Sequence, residues 1–206
     1  MLFNSFEFIF LFFPLTFFIY WNLSVKHDKG IMSLTIFSYV FYGIWDYRFT
    51  FLMLFCTLLN YYCGKYIASA KDIKTKKIWL IVAIVFSIVI IGYFKYLNFF
   101  SSSINYILIF LQFETLIPVF NFILPVGISF FTFQALSYTI DVYREQINPC
   151  KNLITFMCFV SFFPQLIAGP IVRFSEIEKQ LVNLKSELNT KDSFIGIIFL
   201  VSGFFK

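Results

Sequence analysis

Along ILPVGISFFTFQALSYTIDVYR, residues 123–144, the positions Gly127, Gln134, Ser137, Tyr138, Asp141 and Arg144 are related by steps of three, four or seven. Such steps share one face of a helix, so these side chains form a polar stripe on an otherwise apolar rod. An amide, two hydroxyls, a carboxylate and a guanidinium in that array can line a cavity or tunnel, or simply bond neighbouring helices, and the residues alone leave both readings open. Asp141 and Arg144, three apart, are placed for a local ion pair. A second stretch, FVSFFPQLIAGPIVR at 159–173, puts Pro164 with Gln165 and Gly169 with Pro170 into an apolar run. Proline lacks the backbone donor and clashes with the preceding turn, so this run is predicted to break, with Gln165 placed to satisfy freed carbonyls.

No complete catalytic constellation accompanies these stretches. His27 is the only histidine and sits among Lys26, Asp28 and Lys29, which reads as a solvated loop residue. There are no paired carboxylates on one membrane face, no GxSxG and no glycine-rich phosphate loop. Cys56, Cys63, Cys150 and Cys158 lack CxxC spacing and read as small buried side chains. The residues themselves therefore nominate no catalytic group, metal site or bound cofactor.

The elements that carry the stripe and the break belong to a membrane protein. The 206 residues are 60% hydrophobic and 13% charged, with 33 Phe and a mean hydropathy of +0.82, which excludes an ordinary soluble domain. The net charge of +5 resides in short connections, a topology signal that excludes a nucleic-acid-binding face. Apolar runs at 6–21, 31–45, 49–67, 78–96 and 121–140 each approach the ~20 residues that cross hydrocarbon. The first is too long and aromatic for a cleaved signal. Asn60, inside the third, reads as helix glue. Lysine-rich KHDKG (26–30) and KYIASAKDIKTKK (65–77) belong in the cytoplasm, whereas DYR (46–48) is nearly neutral, so the N-terminus lies outside.

The segment 97–120, punctuated by Ser101–Ser103, Asn105, Gln112 and Glu114, reads as a helix at or dipping into the outer interface. A sixth span there is the alternative and would invert everything downstream. With both flanks cytoplasmic, 153–172 becomes a broken, re-entrant element. Residues 174–191 repeat Ile177, Leu181, Leu184 and Leu188 at helical spacing, an amphipathic helix lying on the surface or offering a docking face. The final run, 194–206, is too short to span. The expected fold is all-α: a polytopic transmembrane helical bundle with a re-entrant, broken-helix core element, apparently truncated, multi-pass in the cytoplasmic (inner) membrane.

LPVGISFFTFQALSYTIDVYR (124–144) followed by FVSFFPQLIAGPIVR closely resembles the membrane-bound O-acyltransferase family. The resemblance is strongest to its bacterial branch of alginate O-acetyltransferases, peptidoglycan O-acetyltransferases and teichoic-acid D-alanyl transfer proteins. LFNSFEFIFLFFPL and FLVSGFFK resemble it too, so the likeness covers essentially the whole chain as an N-terminal half. It implies an acyl group taken from a cytoplasmic donor (acetyl-CoA or an acyl-carrier thioester). That group is passed through a thinned, funnel-bearing membrane core to a hydroxyl of an envelope polymer, or to a periplasmic acceptor or acetyltransferase partner protein.

The resemblance also implies functional positions at Gly127, Ser129, Gln134, Ser137, Tyr138, Asp141, Arg144, Pro164, Gln165, Gly169, Pro170 and Arg173, expected to line a cavity near the donor entrance without doing acid–base chemistry. The family's essential histidine lies in the C-terminal half, and His27 does not substitute for it. The expected function is a component that O-acetylates a cell-envelope or exported polysaccharide such as alginate or peptidoglycan, inactive alone. The alternative is a truncated or split non-catalytic fragment, paired or not with a separately encoded C-terminal half.

Overall fold

A computed structural model describes residues 3–24, 27–112, 117–119, 123–166, 169, 171–182 and 190–204. The described residues form helices and no strands. A π-helical segment Phe8–Phe12 leads into α1 (Phe13–Ser24); then come α2 (His27–Ser69), α3 (Ile73–Ile91), a π-helical segment Gly92–Tyr96 and α4 (Leu97–Phe110). After these follow α5 (Ile128–Tyr143), α6 (Leu153–Ser161), the single turn α7 (Phe163–Leu166), α8 (Phe174–Val182) and α9 (Thr190–Phe204). Two stretches, Asp28–Ser69 and Ile73–Phe110, are long and apolar enough to cross a membrane.

Helix α2 cannot be one rod: 43 residues at 1.5 Å each would reach ~65 Å, about twice a hydrocarbon core. It breaks at Asp46, whose φ of −159° and ψ of 110° are extended, inside the DYR connection. The Asp46 carboxylate accepts the Arg48 backbone N–H at 2.9 Å and the guanidinium at 2.7 and 3.0 Å, which caps the second half. Those bonds to Arg48 hold the Asp46 carboxyl below the usual range. Thr35 Oγ1 donates to the Ile154 carbonyl (3.4 Å) and Tyr61 OH to the Lys151 carbonyl (3.1 Å). Positions on either side of Asp46 thus meet the same start of α6, so the chain reverses at the break.

Helix α3 begins at an Asp72 cap, whose carboxylate accepts from Thr75 N at 2.7 Å. It packs against both α2 and α5. Lys76 near its start meets Glu145 just beyond the end of α5 at 2.7 Å, so the two helices run antiparallel. The run from α3 through α4 passes the π-helical turn, where Tyr96 departs from helical dihedrals (φ −115°, ψ −11°). Asn105 of α4 brackets Ile117, donating to its carbonyl (2.8 Å) and accepting from its N–H (2.7 Å).

The main core joins α2, α5 and α6 through Tyr42, Met53, Phe131, Tyr138, Phe156 and Phe159, with Phe174 of α8 against them. A second cluster is built of phenylalanines: Phe8, Phe12, Phe41 and Phe163 are all buried. The exposed apolar side chains, such as Phe18, Phe51, Val85 and Ile88, lie outward on α1, α2 and α3, as lipid contact requires.

Candidate functional site

Among the described residues, the helical backbone is interrupted between α6 and α8. Asn152 caps α6 by accepting from Ile154 N at 2.9 Å, and the helix stops at Phe162, whose ψ is 104°. Phe163–Leu166 then make one turn with Pro164 in its first positions, where a missing N–H costs nothing. Residue 169 and residues 171–173 are non-helical before α8 begins. The α8 start is tied by Glu176 N–H donating to the Arg173 carbonyl at 3.1 Å, and the Arg173 side chain is exposed.

A break at Phe162 frees the Phe159 carbonyl and the Phe163 N–H, which would pair in an unbroken helix. Each finds a side chain instead. Gln134 Nε2 of α5 donates to the Phe159 carbonyl at 2.8 Å, and Ser38 Oγ of α2 accepts from Phe163 N at 3.3 Å. Phe159 and Ser38 are both fully buried, so water does not compete for these groups. The sequence expectation placed Gln165 in this role. The structure gives it to Gln134, because Gln165 lies past the break, and its Oε1 is buried with no hydrogen-bond partner.

Four further contacts hold the break in place. Phe163 sits among Phe41, Phe12 and Phe8 with ring centroids at 5.5, 5.6 and 6.1 Å. Gly127, the residue before α5, has φ +74°, and a Cβ on it would lie 2.6 Å from the Leu166 carbonyl oxygen. Only glycine meets both demands. Tyr42 OH secures the same turn by donating to the Val126 carbonyl at 2.9 Å. Gly169 N–H donates to the Gln165 carbonyl (3.0 Å), and a Cβ on Gly169 would lie 2.8 Å from Gln165 Cα.

The polar stripe of α5 is spent on packing within the described residues. Ser137 Oγ bonds back to the Gln134 carbonyl (2.8 Å). Tyr138, fully buried, accepts the Cys150 N–H at 3.0 Å and lies so close to α2 that a Cβ on Gly64 would be 2.6 Å from its ring. Thr139 Oγ1 donates to Asn60 Oδ1 at 2.8 Å. Ser129 is half-buried in the first turn, Asp141 is buried and Arg144 is exposed at the helix end. The expected Asp141–Arg144 pair does not form among the described residues. The ion pair at this end is Lys76–Glu145, across two helices, and Lys76 holds the Glu145 carboxyl below its ordinary value.

One apolar cavity of about 300 Å³ adjoins the break. Of the sequence candidates, Pro164 and Gln165 line it, while Gln134 and Tyr138 are buried in α5 and Gly127 is half-buried just before it. Pro170 lies outside the described residues. His27 opens α2, far in sequence from the break, and no group of three metal-binding side chains occurs among the described residues. Sequence reasoning missed Ser38 and Phe163. A serine inside an apolar run was the available signal for the first, and nothing marked one Phe among 33.

No family model and no solved structure matches the chain. Among curated proteins, it is 38% identical over 209 residues to a protein of Azotobacter vinelandii named "Probable alginate O-acetylase AlgI", covering all of this chain and 40% of that one. The protein of the same name in Pseudomonas aeruginosa is 39% identical over 211 residues, with 39% of its length covered. The "Peptidoglycan O-acetyltransferase" of Helicobacter pylori is 31% identical over 234 residues, with 44% covered. The chain spans about two-fifths of the length of the curated relatives it matches. It is thus a homologue, over its whole length, of the N-terminal two-fifths of bacterial O-acetyltransferases of the membrane-bound O-acyltransferase type.

Proposed function

We propose that this chain forms the N-terminal part of a membrane enzyme that O-acetylates a cell-envelope or exported polysaccharide, alginate or peptidoglycan being the acceptors that the relatives' names specify. The observation that carries the proposal is the match of the whole chain, at 31–39% identity, to O-acetylases of those two polymers. Lysine-rich connections then face the cytoplasm, in an inner membrane that the chain crosses several times. The thioester donor arrives from the cytoplasm and the polymer hydroxyl, or an acetyltransferase partner protein, from the other side.

Moving an acyl group through a bilayer needs backbone that is not helical yet fully satisfied, and such backbone occurs in membranes only where protein encloses it. The interruption at Phe162 supports this reading, with Gln134 and Ser38 serving the two backbone groups it frees. In this reading 153–172 is re-entrant, and its bend shapes the region where donor and acceptor meet. The residues of this chain orient and enclose. A base on the acceptor hydroxyl is the work of a histidine, which the family resemblance places in the C-terminal half.

Exchange of the matching N-terminal stretch of the Pseudomonas aeruginosa relative for residues 1–206 tests the proposal in a strain lacking that gene. Restored O-acetyl content in secreted alginate is expected. A chimaera that inserts at normal levels but leaves alginate unacetylated contradicts it for that acceptor, and peptidoglycan acetylation in the corresponding Helicobacter pylori chimaera then decides between the two polymers.

A further inference from the structure

Helix α5 packs against α2, α3, α6 and α8, and one strip of it remains uncovered. Phe130, Phe133, Ser137 and Arg144, at successive steps of three, four and seven, are exposed or half-buried along that strip. The outward faces of the neighbouring helices differ in kind. Helix α3 shows Ile81, Val85 and Ile88, and the first half of α2 shows Ile36, Val40 and Ile44, which is all that hydrocarbon asks of a helix. The α5 strip instead has a serine at its middle, the type of small polar residue at which membrane helices approach one another. At its margin, one turn beyond Ser137, stands Asp141, only 6% exposed. The Asp141 carboxylate makes no hydrogen bond or ion pair with a described residue, and its oxygens are not among the polar atoms sealed from the surface. The little surface that Asp141 keeps therefore includes its carboxylate. Arg144 does not reach it, and Lys76 is committed to Glu145.

A carboxylate enclosed to this degree is costly unless an opposite charge meets it. No described residue of this chain supplies that charge, while more than half of each relative lies outside the match, which takes in 39–44% of their lengths. The strip has the size of a seat for one helix, since the fourteen steps from 130 to 144 rise about 21 Å. We propose that the uncovered face of α5 receives a helix from the remaining part of the complete enzyme, and that this helix carries a lysine or arginine that pairs with Asp141. Phe130 and Phe133 pack against one end of the incoming helix, the small side chain at 137 lets the axes come close, and the ion pair at Asp141 fixes the register, the role for which buried charge pairs are best suited. The inference rests on the proposed function only in taking this chain as the N-terminal part of a longer protein.

The test uses the membrane-inserted chimaera of residues 1–206 with the rest of the Pseudomonas aeruginosa relative, carrying the photo-crosslinker p-benzoylphenylalanine in place of Phe133 or, as controls, of Ile36 or Val85. The three sites are similarly exposed, at 44, 50 and 52%, so exposure alone predicts equal adducts. After photolysis, peptide mass spectrometry should find position 133 joined to a helix of the relative's part, with a lysine or arginine within about 12 Å along it, the rise from 133 to 141, and positions 36 and 85 joined to lipid. Asp141→Leu should lower that yield at least about tenfold, because it strands the partner cation, whereas Asp141→Glu should keep it. Replacing the cation by methionine should lower it likewise, and replacing both should recover most of it. Lipid adducts alone at 133, equal adducts to the relative's part at 36 or 85, an adducted helix without such a cation, or losses that merely add in the double variant overturn the proposal. If Asp141→Leu prevents insertion, the adduct pattern of the parent chimaera still decides. Photolysis reads packing and not acetyl transfer, so a chimaera that acetylates alginate yet gives only lipid adducts at 133 overturns this inference and leaves the proposed function standing.

Discussion

Replacing Gln134 by leucine keeps the bulk of the side chain and removes the one donor that reaches the Phe159 carbonyl, 2.8 Å away. A buried group left unpaired costs about 1–3 kcal/mol, whereas hydrogen bonds between membrane helices average only ~0.6 and reach ~1.7, since neighbours usually offer a substitute. Here the natural substitute, the Phe163 N–H, is committed to Ser38, so the loss should fall near 1–2 kcal/mol. Ser38→Ala should cost less, about 0.5–1 kcal/mol, because its bond is long at 3.3 Å. The double variant is the sharper case. With both side chains gone, the Phe163 N–H and Phe159 carbonyl can pair with each other as in a continuous helix, so the combined loss should fall below the sum by about 0.5–1 kcal/mol. Unfolding of the detergent-solubilised chain by sodium dodecyl sulfate, followed by tryptophan fluorescence, measures all three against the exposed control Gln180→Leu. Strictly additive losses, or a Gln134→Leu loss no larger than the control's, would refute the assignment of these two side chains to the break.

Three further perturbations address its supports. Phe163→Ala empties the space among Phe8, Phe12 and Phe41 and should cost about 3–5 kcal/mol in the same assay, whereas Phe18→Ala on the exposed face of α1 should stay within ~0.5. Gly127→Ala meets both a positive φ and the Leu166 carbonyl; it should destabilise by more than the ~1 kcal/mol strain of the dihedral alone, and Gly92→Ala, where a Cβ meets nothing, should not. Because Lys76 lowers the Glu145 carboxyl, the pair's ordering of the 145–149 turn is present above the ordinary glutamate value of 4.5 and is lost as pH falls through the lowered one. Hydrogen exchange in that turn, corrected for its intrinsic pH dependence, should lose protection only as pH falls below the ordinary glutamate value in the parent and show no such step in Lys76→Met.

What could be read from the sequence was whatever a local rule decides. Pro164, with Gly169 and Pro170 close behind it, disfavours a continuous helix, so the break was legible from residue type, and the DYR connection marked the interruption of α2 near Asp46. The all-helical fold followed from composition and period. Which groups close the break was not legible, since Gln134 lies 25 residues from its acceptor and Ser38 lies 125 residues from its donor. Gln165 was favoured because it is adjacent in the chain, yet adjacency past the break carries its side chain beyond the carbonyl that needs it. Asp141 and Arg144 failed as a pair for a related reason. Spacing permits the contact, but Asp141 is buried in the bundle while Arg144 is exposed at the helix end, and Lys76 reaches Glu145 instead.

In the proposed function, acetyl transfer by the complete enzyme depends on the bend that begins at Phe162. This dependence is tested most directly by placing Gly169→Leu in the chimaera with the Pseudomonas aeruginosa relative and measuring the O-acetyl content of alginate alongside the amount of inserted protein. A side chain at 169 must displace the Gln165 backbone, 2.8 Å from where its Cβ would stand. Normal insertion with acetylation abolished is expected; undiminished acetylation at normal insertion would overturn the proposed role of the bend.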